Sequence, residues 1–375
     1  MRIGIDARMW GPKCAGLGRY IEQLLIHLQA IDQSNQYVIF LRKENFESFL
    51  ITNHLWKKVL ADIPWYSFAE QVRLKKIIDE ERVDIMHFPH WNVPFLYNKP
   101  FIVTVHDLIM WHFPRQEAST HGPLVYWLKD RASHLVVKHA VSAAKHILTT
   151  SEFTKYDIHK TLRVPLERMT VTYQAPYSHK QSAISNQQLI LNRYSINKPY
   201  VLYVGSAYPH KNLNRLVEAW KIIQEKCEDK YQLVLVGKDS YFYQKLKNHL
   251  SALAPEHLST VVFTGFVPDD QLEILYKNSS LYVAPSLYEG FALPALEAIA
   301  RGLPAVTSNS SCFPEVLGSS ALYFDPESIG YMAEAIFQGL TDKNIRFDLV
   351  RQGGEELKRY SWERLAKQTL TAYCS

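Results

Sequence analysis

Short apolar runs recur along this chain at helix-length intervals. They lie at Arg2–Ile5, Tyr37–Leu41, Asp84–Phe88, Phe101–Val105, His146–Thr149 and Met169–Thr172, and again at Tyr200–Gly205, Gln232–Gly237, Val261–Phe263, Leu281–Ala284, Pro304–Thr307 and Leu322–Phe324. The segments between them carry apolar residues at helical spacing, as at Ile21, Leu24, Leu25 and Leu28. A strand that is apolar on both faces has to be covered on both faces, and alternating helices do that through parallel crossovers. The pattern therefore predicts α/β architecture with doubly wound parallel sheets. A chain of 375 residues exceeds one ordinary core and fits two such sheets. Between them, Gln174–Asn192 is polar and aperiodic, includes Ser178–Ser182, and reads as a linker. The expected divisions are a domain over 1–175, a linker over 176–195, a second domain over 196–357 and a C-terminal helix over 358–375.

The most chemically suggestive stretch is Ala284–Leu303: a strand end, a loop carrying Glu289, then a helix with Pro294 in its first turn, stopped by Gly302-Leu303-Pro304. The amides of Gly290 and Phe291 sit where a helix N-terminus favours an anion, and Glu297 lies about one turn inside. Amides for a phosphate and carboxylates for hydroxyls suit a nucleotide-sugar. By spacing alone, the stretch reads equally as a capped core helix with two surface glutamates.

In the first half, the strand Arg2–Ile5 leads through Asp6-Ala7-Arg8 into a glycine segment, Gly11–Arg19, read as a loop before a helix from about Tyr20 to Ala30. It lacks a dinucleotide fingerprint: position 21 is Ile, and the next strand ends in Arg42-Lys43 instead of an acid. His106 and Asp107 end an apolar strand, which is where open α/β sheets bind ligands, so His106 is expected to hydrogen-bond a substrate or move a proton. The alternative is a structural His beside a capping Asp.

A formal charge of +5 permits an anionic substrate and does not call for nucleic acid, of which no motif is seen. Cys14, Cys227, Cys312 and Cys374 are scattered and form no C-x-x-C. The chain opens directly into a strand and has no long uncharged apolar window, so a cytoplasmic protein is expected. Arg73, Lys75 and Lys76, with the basic helical stretch Pro123–Lys145, suggest peripheral contact at the inner face of the cell membrane, or else an ordinary solvated helix face.

Taken together, Tyr203–Asn212, Phe263–Val267 and Pro285–Ala298 resemble the retaining GT-B glycosyltransferases of family 4, and Glu289 with Glu297 matches that family's E-x7-E motif. Gly16–Tyr20, Val105-His106-Asp107 and Ser361-Trp362-Glu363 resemble it too, so the likeness spans nearly the whole chain. The resemblance implies two Rossmann-like domains facing a central cleft, with the C-terminal helix crossing back to the first. It also implies transfer of a hexose from a nucleotide-sugar to a saccharide or lipid-linked acceptor in bacterial surface polysaccharide synthesis. Mannose from GDP-mannose is the first expectation, with UDP-sugars open, and neither a cofactor nor a metal is expected.

The resemblance also implies residue roles. Lys211 would neutralise the donor diphosphate together with the amides of Gly290 and Phe291, in a loop continuing through Ala292 and Leu293. Glu297 would hold the ribose and Glu289 the transferred sugar. The loop at Phe266 would read the base, Gly205 and Ser206 would border the phosphates, Gly16 and Gly18 would let the first loop close on donor and acceptor, and His106 would hydrogen-bond the sugar. His106, Glu289 and Lys211 are thus the expected catalytic set. Ser206 departs from the family, where Arg is common, so a second cation is either missing or supplied by His210 or a distant Arg. A sugar-nucleotide 2-epimerase, a phosphorylase or a non-catalytic sugar-nucleotide-binding module are the competing readings.

Overall fold

The computed structural model describes residues 1–114, 123–177, 187–253 and 259–374. The chain forms two compact units: Met1–Gln174 with Ser361–Ser375, and Ala175–Tyr360. Part of the polar stretch expected as a linker, 178–186 with Ser178–Ser182, lies outside the described residues; Gln187–Arg193 beyond it forms a helix within the second unit.

The first unit is built on a parallel seven-stranded sheet, ordered β3-β2-β1-β4-β5-β6-β7. Its strands are β1 (Arg2–Asp6), β2 (Gln36–Leu41), β3 (Trp56–Leu60), β4 (Ile85–Phe88), β5 (Phe101–Val105), β6 (His146–Thr149) and β7 (Met169–Val171). Every residue of β4 and β5 is buried, as strands covered on both faces must be. The edge strand β3 was hidden in the sequence because Trp-Lys-Lys-Val-Leu buries only Trp56 fully.

Two local readings are corrected. The glycine segment is not a loop through Arg19, because the first long helix runs Ala15–Ile31 and takes Gly16 and Gly18 into its opening turn. A Cβ on Gly18 would run into the carbonyl of Gly11, so this glycine lets the helix start pack on the preceding turn. Gly16 faces open space. The helix expected over Phe68–Glu80 forms, but its segment Glu70–Leu74 is a wide π-helical turn. Such turns re-aim a side chain, and here Glu70 is fully buried. The helix Trp362–Cys374 packs on Ala15–Ile31, and the Tyr373 hydroxyl lies 2.8 Å from Nδ1 of His87 on β4.

The second unit has a six-stranded parallel sheet, ordered β10-β9-β8-β11-β12-β13. The strands are β8 (Tyr200–Val204), β9 (Gln232–Val236), β10 (Val261–Gly265), β11 (Leu281–Ala284), β12 (Ala305–Ser308) and β13 (Ala321–Phe324). Its core gathers Leu213, Leu216, Val217 and Trp220 from the helix Leu213–Cys227 against Val201, Leu233, Leu235 and Val283. Among the described residues, no helix is long and apolar enough to cross a membrane.

Candidate functional site

In both units the strand order steps outward from β1 or β8, so the carboxyl ends of these strands and their neighbours form the switch point where such sheets bind ligands. In the second unit three loops meet there. The loop after β8 turns through Pro209–Lys211 and ends at Asn212, whose φ of 59° is left-handed. Asparagine tolerates that region, and its side chain exploits it. Nδ2 donates to the carbonyls of Pro285, 3.1 Å away after β11, and Pro326, 2.8 Å away after β13. The Leu287 amide donates to the His210 carbonyl at 2.7 Å. The loops after β8, β11 and β13 are therefore bonded into one rim.

On that rim, Lys211 Nζ lies 2.6 Å from Glu289 Oε1, with both side chains about five-sixths buried (17 and 16% exposed). Ser286 Oγ donates to the same carboxylate oxygen at 2.7 Å, and the Glu289 amide donates to Ser311 Oγ at 3.0 Å. Lysine and glutamate, 78 residues apart, are thus oriented by contacts from two further loop residues. The helix after this loop runs Leu293–Ile299, introduced by Ala292 at φ 60°, a left-handed conformation that is strained for a residue with a Cβ. Phe291 turns its ring inward, edge-on to Tyr360 at 5.8 Å, so its backbone is what it can offer a ligand. Glu297 is 5% exposed, and the Tyr276 hydroxyl lies 3.4 Å from its Oε2. Arg301 donates to the Glu297 carbonyl at 2.7 Å and binds Glu273, fixing the end of the helix. Neither glutamate of the motif is a surface glutamate.

The other residues expected at the donor site follow the neighbouring strand ends. Gly205 donates to Val236 and Gly237 to Gly265, joining the ends of β8, β9 and β10. Tyr203 and Tyr243 hydroxyls donate to the carbonyls of Ser206 and Gly205, at 2.7 and 2.9 Å. Phe266 follows Gly265 and is 68% exposed. His210 is 1% exposed and stacks on Tyr208, with ring centroids 5.9 Å apart.

In the first unit, His106 ends β5 with Nε2 2.9 Å from the Pro89 carbonyl. A carbonyl only accepts, so Nε2 carries the proton and Nδ1 the lone pair. Burial pushes the ring's pKa down to about 4, against a small upward pull from that hydrogen bond, so the imidazole is neutral near pH 7. Tyr20 meets it edge-on at 4.7 Å.

Sequence reasoning missed the group beside it. Arg8, 1% exposed, binds Asp6 at 2.8 Å and Glu70 at 2.5 Å, and Asn92 donates to the same Glu70 oxygen at 2.7 Å. Burial opposes the Arg8 charge, but attraction to Asp6 and then Glu70 outweighs it and raises the guanidinium's pKa. Asp6, Arg8, Met9, Ile21, Pro89, His90 and Asn92 surround a small pocket at the ends of β1 and β4. The signal was present in Asp6-Ala7-Arg8 directly after a strand; what was not visible was a π-helical turn delivering Glu70.

Two family models match the chain: "Glycosyltransferase Family 4" over residues 15–175 and "Glycosyl transferases group 1" over residues 188–356. The chain is 30% identical to O-antigen chain mannosyltransferase B of Escherichia coli, over 77% of this chain and 74% of that protein. It is 28% identical to the O-antigen chain mannosyltransferase RfbU of Salmonella typhimurium, over 80% of this chain and 77% of that one. Among solved structures it superposes on a sucrose-phosphate synthase from Thermosynechococcus elongatus with a TM-score of 0.76 at 20% identity, covering 100% of this chain and 98% of that one.

Proposed function

The chain belongs to the group 1 and family 4 glycosyltransferases and is a hexosyltransferase of GT-B fold, and from that premise we propose that it moves mannose from GDP-mannose to a saccharide or lipid-linked acceptor in bacterial surface polysaccharide synthesis. Two relatives that are O-antigen chain mannosyltransferases support the choice of sugar and pathway. The observation that carries the chemistry is the Lys211–Glu289 pair at 2.6 Å, held by Ser286 and Ser311 on a rim of three bonded loops.

A nucleoside diphosphate gains negative charge as its bond to the sugar breaks, so a fixed cation beside it stabilises the transition state more than the ground state. Lys211 is that cation, and Glu289 aims it. Glu297 accepts from the ribose hydroxyls, the Gly290 and Phe291 amides face the phosphates, and the exposed Phe266 lies against the base. Gly205 and Ser206 leave backbone close to the phosphates, with Ala292 and Leu293 opening the helix. On the acceptor side, neutral His106 offers Nδ1 to a sugar hydroxyl, and the Gly16 and Gly18 turn starts a helix without a side-chain cap. The reaction retains configuration by front-face attack. The acceptor oxygen bonds to the anomeric carbon on the side from which the diphosphate leaves, and the acceptor proton passes to the departing phosphate oxygen.

The test is turnover of a panel of GDP- and UDP-sugars by mass spectrometry, with melting shifts under GDP against UDP. GDP-mannose consumed with an acceptor, and a larger shift with GDP, is expected; no binding or turnover of any donor would overturn the reading.

The enzyme works at the inner membrane face through an exposed apolar surface of the first unit. Phe68 and Val72 stand one turn apart on their helix, Phe95 is fastened by its amide to Gln71 and its ring meets His139 at a tilt, 4.4 Å between centroids, and Leu135 lies one turn before His139. Exposed Arg73, Lys76, Arg131 and Lys138 flank these residues, matching anionic headgroups. The protein should float with anionic vesicles at low salt and lose this in a Phe68→Ser, Phe95→Ser double variant. Failure of the wild type to float removes the membrane face.

A further inference from the structure

The rim described above is short of positive charge. In the loops leaving the six strands of the second sheet, 205–212, 237–240, 266–268, 285–292, 309–312 and 325–328, there is no arginine, and the lysines are Lys211 and Lys238. Lys211, the cation assigned to the diphosphate above, has the Glu289 carboxylate 2.6 Å away, which offsets part of its field, so Lys211 alone balances a diphosphate only in part. His210 is buried against Tyr208. Arg215, one turn into the next helix, is bound to Asn212 Oδ1 at 3.0 Å.

Lys238 lies elsewhere on the same edge. The ends of β8 and β9 touch at their glycines: Gly205 donates to the Val236 carbonyl at 2.9 Å, and a Cβ on Gly237 would collide with the Gly205 carbonyl and the Tyr243 hydroxyl. Ser206 and Lys238 are the next residues after these two glycines. The glycine at 237 therefore brings the peptide preceding Lys238 against the peptide preceding Ser206. Lys238 is exposed, and its neighbour Asp239 is engaged by Gln244 at 2.8 Å and faces Lys247 at 3.7 Å on the following helix.

We propose that Lys238 is a second cation for the donor diphosphate, covering the position beside Ser206 from the adjacent strand end. The proposal rests on the donor reading above and adds the residue that completes its charge balance. A lysine ammonium on a four-carbon stem spans a neighbouring strand, and as a mobile point charge it can follow the phosphate as charge develops. The strands of one sheet lie about 5 Å apart, well within that reach.

The experiment uses the full-length protein and calorimetric titration with GDP, UDP, GMP and UMP, in wild type, Lys238→Met, Lys238→Arg and Lys238→Met/Ser206→Arg. Lys238→Met is expected to weaken the preferred nucleoside diphosphate about tenfold, the size of one charge-assisted contact at a solvated site, and to leave the monophosphate nearly unchanged. Lys238→Arg should retain affinity, and Ser206→Arg should restore it in the Met background. With the donor sugar attached, kcat should fall further than affinity, because the leaving phosphate is more charged than the bound one. The exposed position predicts unchanged melting without ligand. If wild type binds a diphosphate and Lys238→Met binds it equally well, this assignment falls and the donor reading stands. If wild type binds no nucleoside diphosphate, both fall together.

Discussion

Replacing Lys211 by Met leaves the Glu289 carboxylate without the ammonium 2.6 Å away, in a place where its side chain is 16% exposed. A fully exposed pair contributes about 0–1 kcal/mol, and breaking a fully buried one costs about 3–5 kcal/mol. This pair lies between those limits, and Ser286 still donates to the stranded oxygen. A stability loss of about 2 kcal/mol is therefore expected for Lys211→Met. Glu289→Gln in the same background removes the stranded charge and should recover at least half of that loss, a coupling of about 1 kcal/mol or more in a double-mutant cycle. Catalysis should behave differently. Loss of a fixed cation on a leaving group costs about 100- to 1,000-fold in kcat, and the double variant should not regain it. Urea unfolding measures the first quantity and single-turnover consumption of the donor the second. A coupling within 0.5 kcal/mol of zero, the ordinary noise of additivity, would refute the electrostatic account of the pair. Recovery of turnover in the double variant would show that Lys211 serves only to neutralise Glu289 and not the leaving group.

Asn212→Gly keeps the left-handed backbone but strips the donors from the Pro285 and Pro326 carbonyls; urea unfolding should show a loss of about 2–4 kcal/mol, and a loss below 1 would mean the loops do not depend on this residue. His87 is fully buried, and burial, helped by nearby His106, pushes its pKa down to about 3. The unfolded chain then binds the proton that the folded chain refuses, so the contribution is complete above pH ~6.5 and is lost as pH falls toward 3. Between pH 7.5 and 5.0 the wild type should lose about 2 kcal/mol more stability than His87→Gln, with His90 and His106, whose pKa values burial also lowers, adding to the loss in both; equal losses in the two proteins would remove His87 as a cause. Phe266→Ala should weaken GDP by about 1–3 kcal/mol, the range for a base stacked on an aromatic ring, without changing stability, and an unchanged affinity would place the base elsewhere.

The parts of this molecule that depend on local pattern were legible. Apolar runs such as Val103–Val105 and Leu233–Val236 could only be strands covered on both faces, and Pro294 marked a helix start that the structure has at Leu293. The spacing from Glu289 to Glu297 placed both acids around one helix start, and each proves to be held by specific partners. What escaped reading depends on long-range contact. β3 is an edge strand whose lysines break the apolar signal. Gly16 and Gly18 look like loop residues because glycine is a poor helix former, yet both lie in the helix, where Gly18 packs against Gly11 at its start. Glu70 and Arg8 are 62 residues apart, and no periodicity announces a buried ion pair. His210 is buried and stacks on Tyr208, a contact that sequence spacing leaves open.

The helix Trp362–Cys374 completes the first unit although it is translated after the second. At ribosomal rates of about 5–20 residues per second, on the order of ten to forty seconds separate Gln174 from Ser361. During that interval the groove on Ala15–Ile31 is uncovered and His87 lacks the Tyr373 hydroxyl. The second unit, closing within Ala175–Tyr360, needs nothing made later. The order of synthesis is therefore reversed in maturation: the domain begun first is finished last. A ribosome stalled before codon 361 would release a chain whose second half is whole and whose first half still exposes a sticky flank to chaperones and proteases.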